Sequence, residues 1–143
     1  MELTRISPEE AQDLLESGED YIYLDVRSVP EFEAGHAPGA KNIPILHRTP
    51  AGMRPNQDFV AVCERALGKD AKIITACLMG GRSMRAAQVL IANGFENVVD
   101  MRGGFRGETD PMGRLVYRGW APRGLPVTTE ARDDETYDGL SSR

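Results

Sequence analysis

Soft and basic metal ligands are scarce in this chain: 143 residues carry two cysteines, Cys63 and Cys77, and two histidines, His36 and His47. Two cysteines do not make the disulfide framework of a small extracellular domain, and two histidines leave little for a zinc site. No metal and no other cofactor is expected. Long apolar runs are missing as well. Nothing approaches the roughly 20 residues of a membrane-spanning helix, and the first residues do not follow a basic start with an apolar stretch. A cytoplasmic, soluble protein with no membrane contact is the expectation. Nor is there an excess of positive charge, since 17 Lys and Arg face 22 Asp and Glu for a net charge of −5. That balance argues against general binding to a nucleic-acid backbone. Much of the acidity is local. Residues 128–143 hold Glu130, Asp133, Asp134, Glu135 and Asp138 against two arginines, a net of −3 that leaves −2 for the rest. A small anion can still be drawn to a locally positive loop.

What the chain does have is an alternation of helical and strand patterns at a length that fits one globular domain. Ser7-Pro8-Glu9-Glu10 combines an N-cap serine, proline at the first helical position and glutamate at N3, ahead of the apolar Ala11, Leu14 and Leu15. Tyr21–Arg27 reads as a largely buried strand, followed by a second capping box from Ser28 to Glu31. A very short strand is expected at Asn42-Ile43-Pro44. A Pro/Gly-bearing loop then leads to a helix from about Pro55 to Leu67, with Phe59, Val62, Cys63, Ala66 and Leu67 on one face. Strand 72–76, helix 82–92 and strand 97–101 follow, with Gly94 placed as a helix C-cap between the last two. Strands alternating with helices predict an α/β domain built on a mostly parallel sheet. The glycine-rich stretch 103–124 reads as loop, with Trp120 anchoring it. The last sixteen residues lack a periodic apolar pattern and are expected to be flexible.

Ligands of parallel sheets collect at the carboxyl ends of the strands, and Cys77 stands at such an end. The run Cys77-Leu78-Met79-Gly80-Gly81-Arg82-Ser83 passes from strand 72–76 into helix 82–92. Gly80 and Gly81 let successive amide N–H groups turn inward. Together with the unpaired donors of the helix start they form a nest for an anion. A cysteine beside a helix N-terminus and a cation is a candidate reactive thiolate. Arg82 either aims at the oxygens of a bound group or braces the loop. Ser83 caps the helix or adds a hydroxyl donor, and Arg85, one turn further on, widens the positive field or faces solvent. Asp25 and Arg27, ending a neighbouring strand, are placed to orient the site. Cys63, inside an apolar helical stripe, reads as a packing residue, and His36, in a turn after Gly35, as a structural histidine.

These residues, in this order, resemble a single-domain rhodanese, the thiosulfate sulfurtransferase family. The resemblance runs from about Leu3 to Val127. It rests on Leu24–Arg27, Glu31-Phe32, Gly35-His36, Pro38-Gly39-Ala40, Asn42-Ile43-Pro44 and the Cys77–Arg82 loop, and continues through Ala86-Ala87, Leu90, Gly94-Phe95, Val98, Gly103-Gly104, Trp120 and Gly124–Val127. It implies a five-stranded, mostly parallel sheet with helices on both faces. Residues 1–127 would form the sulfurtransferase domain and 128–143 an acidic tail. Rhodaneses that transfer sulfur resemble this chain in having four residues between Cys and Arg, whereas the phosphatases sharing their fold have one more.

By this resemblance Cys77 takes sulfane sulfur from thiosulfate or a persulfide and passes it to cyanide, a thiol or a protein acceptor. Leu78, Met79, Gly80, Gly81, Arg82 and Ser83 would bind the substrate, with Asp25, Arg27 and Arg85 in support. The alternatives are a phosphatase or arsenate reductase that uses Cys77 as nucleophile, with Asp100 a candidate acid, and a sulfur-delivery or redox-sensing module. Two departures from compact relatives stand out. Residues 105–119 separate Gly104 from Trp120 and would cover the pocket or hold a partner, and Leu78-Met79 make the loop apolar.

Overall fold

The computed structural model describes residues 3–143. In chain order these form β1 (Arg5–Ile6), α1 (Pro8–Leu15), β2 (Tyr21–Asp25), α2 (Val29–Ala34), β3 (Lys41–Asn42), β4 (Leu46–Thr49), β5 (Gly52–Pro55) and α3 (Phe59–Ala66). Then come β6 (Lys72–Ala76), α4 (Gly81–Ala92), β7 (Asn97–Met101), β8 (Gly107–Thr109), β9 (Leu115–Arg118) and α5 (Tyr137–Ser141). Five strands make one parallel sheet in the order β1-β7-β6-β2-β3. Alternation along the central strands sends side chains to opposite faces. Leu24 and Ile73 join α3, α4 and α5 on one side through Phe59, Val62, Leu90 and Leu140. Tyr23, Ile74 and Met101 join α1, α2 and Trp120 on the other. Each such aliphatic or aromatic side chain contributes roughly 1.5–3 kcal/mol by leaving water, so both faces of the sheet are held.

Local signals account for the first elements. Ser7 Oγ accepts from Glu10 N while Glu10 Oε1 accepts from Ser7 N, so both capping-box bonds start α1. Gly94, at φ +92°, turns the chain after α4 as a residue with a side chain rarely would.

Beyond the unexpected edge strand β1 and shifts of a few residues at strand ends, the structure differs from expectation in three places. The expected loop before α3 is a β4–β5 hairpin, whose pairing runs through Pro55 and delays the helix to Phe59. The expected loop 103–124 contains a second hairpin, β8–β9. Trp120 nonetheless anchors it as expected, donating from Nε1 to Pro126 O at 2.6 Å and meeting Tyr23 edge to face.

The third difference lies beyond Val127, where the chain does not trail free but lies on the domain. Thr128 and His36 exchange both backbone hydrogen bonds, and Asn42 N donates to Glu135 O. Leu140 is buried against the α3–α4 face, with Tyr137 packed at its edge. Tyr137 and Leu140, one helical turn apart, add apolar contact to these bonds, and five nearby acids mask these residues in any average of composition. His36 belongs to the same clamp: it stacks on Phe32, and its Nδ1 and Nε2 lie 2.7 and 2.8 Å from the carbonyl oxygens of Phe32 and Glu130. With both nitrogens occupied by backbone, His36 is structural.

Candidate active site

Parallel pairing of β2 with β6 sets Asp25 beside Ala76, so two strand ends deliver Arg27 and Cys77 to the same rim of the sheet. Cys77 is 2% exposed. Its sulfur accepts from Gly80 N at 3.1 Å and lies 3.5 Å from Ser83 Oγ, which in turn donates to Gly80 O at 3.2 Å. Gly80 precedes α4 at φ +120°, a conformation that brings its N–H back onto the sulfur and that L side chains rarely adopt. The N–H groups of Leu78, Met79, Gly81, Arg82 and Ser83 find no acceptor among the described residues. Five open donors thus surround the start of α4, the arrangement that holds an anion.

Two carbonyls of the same loop are tied down from behind. Cys77 O accepts from Phe105 N at 2.7 Å, and Leu78 O from Arg106 N and Gly107 N at 2.9 and 3.3 Å. Close approach requires Gly104 here, because a Cβ on it would lie 2.8 Å from Leu78 C and closer still to Cys77 O. With these carbonyls engaged from behind, the loop keeps its amides free on the other side. Residues 105–107, the first of the segment 105–119, are therefore part of the scaffold of the loop.

Arg82 braces rather than reaching inward. Its Nη1 and Nη2 hold Glu31 Oε1 and Oε2 at 2.7 and 3.0 Å, linking the start of α4 to α2. Glu31 is already fixed by Ser28 N and Oγ, which donate to Oε1. Burial pushes the Glu31 carboxyl up, but the bonds from Arg82 and Ser28 and the guanidinium charge outweigh it and hold its pKa at about 2. Arg27 is buried in a bidentate pair with Asp25, closest at 2.7 Å, and also donates to Gly35 O. Burial opposes its charge, yet the Asp25 bonds and charge hold its pKa above the ordinary value. Its guanidinium lies 4.5 Å from the ring centroid of Phe105.

Beneath the loop, Asp100 is fully buried and accepts from Thr75 Oγ1 at 2.9 Å and Arg5 Nε at 3.0 Å. Burial raises its pKa over the opposing donors. Both carboxylate oxygens are engaged there, so Asp100 is a buried anchor and not an acid facing a substrate. The same Arg5 packs on Gly80: an added Cβ there would lie 3.1 Å from Nη2.

The structure therefore brings Cys77, Gly80 and Ser83 together around the sulfur. Arg82 stands at the rim in its pair with Glu31, Leu78 is half-buried, and Met79 is 42% exposed. Gly81 opens α4 at the surface, and Arg85 lies exposed on α4 with no ion pair among the described residues and no place in the two hollows beside the loop. Asp25 and Arg27 support the rim next to Phe105. Sequence reasoning missed Arg5 and the Arg82–Glu31 pair. The second capping box signalled that Glu31 is held in place, but not that it faces Arg82.

Residues 7–108 match the Rhodanese-like domain family, and the chain belongs to that family. It is 40% identical over 117 residues to thiosulfate sulfurtransferase 16, chloroplastic, of Arabidopsis thaliana, covering 82% of this chain and 86% of the relative. It is 36% identical over 104 residues to thiosulfate sulfurtransferase GlpE of Pseudomonas fluorescens, covering 73% and 83%. Among solved structures, Rv0390 of M. tuberculosis superposes with a TM-score of 0.76 at 23% identity, over 91% of this chain and all of that one, and shows the shared fold. A rhodanese-related protein from Thermoplasma volcanium gives a TM-score of 0.60 at 28% identity, over 89% of this chain and 99% of that one. Two of these relatives are named thiosulfate sulfurtransferases, and family membership supports a function of that type.

Proposed function

We propose that this protein is a sulfurtransferase that carries sulfane sulfur on Cys77. The observation that carries the reading is the Cys77 sulfur, held by Gly80 N–H at the start of α4 amid loop amides that have no other acceptor. In the first step the Cys77 thiolate attacks the outer sulfur of thiosulfate or of a persulfide. The new S–S bond forms on Cys77 as the old one breaks, and sulfite or the donor thiolate leaves with the electron pair. In the second step cyanide or a thiolate attacks the outer sulfur, and Cys77 leaves as thiolate. Two displacements replace one difficult transfer.

The loop donors serve negative charge that moves between the inner and outer sulfur, an interaction that strengthens as charge develops. Neither step needs a base once the thiolate is present, which accords with His36 being committed to backbone carbonyls. Ester hydrolysis is disfavoured by the loop, with four residues between Cys77 and Arg82, and by Asp100, whose carboxylate is spent on Thr75 and Arg5.

Intact mass after exposure to thiosulfate tests the first step. Wild type is expected to gain about 32 Da, one sulfur atom, which a thiol removes. Cys77→Ala is expected to gain nothing, and a persistent adduct in that variant would refute the assignment.

A further inference from the structure

Two hollows flank the Glu31–Arg82 bridge and share Glu31 as a wall. One, of about 580 Å³, lies between Arg82 and the β4–β5 hairpin, with Leu46, Arg48, Pro50 and Met53 in its lining. The other, of about 610 Å³, is lined by Leu78 of the active loop with Phe105, Arg106, Ala121 and Pro122. A small oxyanion fills only a few times the ~30 Å³ share of a water molecule, so neither hollow is scaled to one. The second is largely apolar, whereas the first mixes Leu46, Pro50 and Met53 with charged side chains, and Met53 stands 42% exposed in it.

Their charge is opposite to that of the whole molecule. Four arginines and one glutamate line the pair of hollows, in a chain of net charge −5. Arg82 and Arg27 are engaged by Glu31 and Asp25, whereas Arg48 and Arg106 are exposed and have no carboxylate partner among the described residues. Each hollow thus carries one exposed arginine with no carboxylate partner, and the Glu31–Arg82 pair stands between them.

We infer that these two hollows dock an extended segment of a partner protein, with a cysteine at the active loop, an apolar residue in each hollow, and acidic residues meeting Arg48 and Arg106. Extended chain advances about 3.3 Å per residue and presents side chains alternately, so a few residues on each side of the cysteine reach the hollows. Acidic side chains complement the two guanidiniums and steer the encounter. The chemistry rests on Cys77 as the sulfur carrier, but the binding does not. The partner thiolate takes the outer S–H sulfur of Cys77–S–SH, giving partner Cys–S–SH and the Cys77 thiolate.

The test is fluorescence anisotropy with a labelled short peptide carrying serine for the cysteine, flanked on both sides by leucine and glutamate. A control peptide has lysine for glutamate. The acidic peptide is expected to bind about tenfold or more tightly than the control, and its advantage to shrink at about 0.5 M salt. The Arg48→Glu, Arg106→Glu double variant should abolish the preference, and serine for leucine in the peptide should weaken binding about tenfold. Equal affinity of the two peptides, or indifference to the double variant, would overturn the proposal. So would self-association in sedimentation that the double variant removes, because the occupant would then be a second copy. Intact mass of the same samples after thiosulfate reports sulfur loading separately, so failure of the sulfur reading is distinguished from failure of docking.

Discussion

Cys63 and Cys77 are almost equally hidden, at 0% and 2% exposure, and both belong to the core on the α3–α4 face of the sheet. What differs is the immediate surroundings. Cys63 lies mid-helix in α3 among apolar side chains. Burial, with the nearby Glu64 carboxylate, pushes its thiol up to about 12. Cys77 lies just past a strand end, where Gly80 N–H and the Ser83 hydroxyl reach its sulfur and a helix begins. Equal burial thus leaves the two sulfurs in unlike polar surroundings, and it is the surroundings of a thiol that govern its reactivity.

The largest effect should come from exchanging the roles of the two sulfurs. Cys77→Ala is expected to lower sulfur transfer at least about a thousandfold, as loss of a nucleophile does. Cys63→Ala should leave turnover within about twofold while costing roughly 1–2 kcal/mol of stability, read by urea unfolding, through the small cavity it opens. Comparable turnover losses in the two variants would erase the distinction between them.

Next comes the scaffold that only the Cys77 region has. Gly104→Ala sets a Cβ 2.8 Å from Leu78 C at φ +61°, so the active loop has to shift. We expect a loss of about 2–4 kcal/mol in thermal unfolding and a fall in kcat of more than about tenfold. An unchanged melting temperature would mean that the loop is not built on residues 104–107.

A smaller effect, and one with a pH signature, belongs to Glu31. Its folded pKa of about 2 lies below the ordinary carboxylate value. The stability from its ionisation is fully present above about pH 4.5 and is lost as pH falls through about 2. Glu31→Gln should therefore unfold more easily than wild type by roughly 1–2 kcal/mol at neutral pH, with the two converging between about pH 4.5 and 2. A constant difference across that range would place the stabilisation elsewhere. Cys63 has the opposite sign: its raised pKa adds stability below about pH 9 that is lost as pH climbs towards about 12.

The smallest change expected is from Ser83→Ala, which removes the hydroxyl between Cys77 Sγ and Gly80 O. A decrease of a few-fold in kcat, with stability altered by about 0.5–1.5 kcal/mol, is expected from one hydrogen bond.

The readable parts of this molecule were those whose causes lie close together in the chain. The two capping boxes, the β6–loop–α4 passage and the strand of residues 21–25 each depend on neighbours a few positions apart. Arg82 and Glu31 are separated by 51 positions and Arg5 and Asp100 by 95, and nothing local announces either pair. The β4–β5 and β8–β9 hairpins were hidden by their mixed, largely exposed residues, which lack the apolar alternation of a half-buried strand. The C-terminal segment was misjudged because Leu140 and Tyr137, the side chains that dock it, are outnumbered by acids. The stacked, doubly bonded His36 shows the converse: a turn position and a preceding glycine were enough to suggest a structural role.

The most direct measurement maps where sulfur resides after the protein meets thiosulfate, by peptide mass analysis under conditions that preserve persulfides. Our account predicts one extra sulfur on the peptide containing Cys77 and none on that containing Cys63. Sulfur on Cys63, or on both equally, would contradict it.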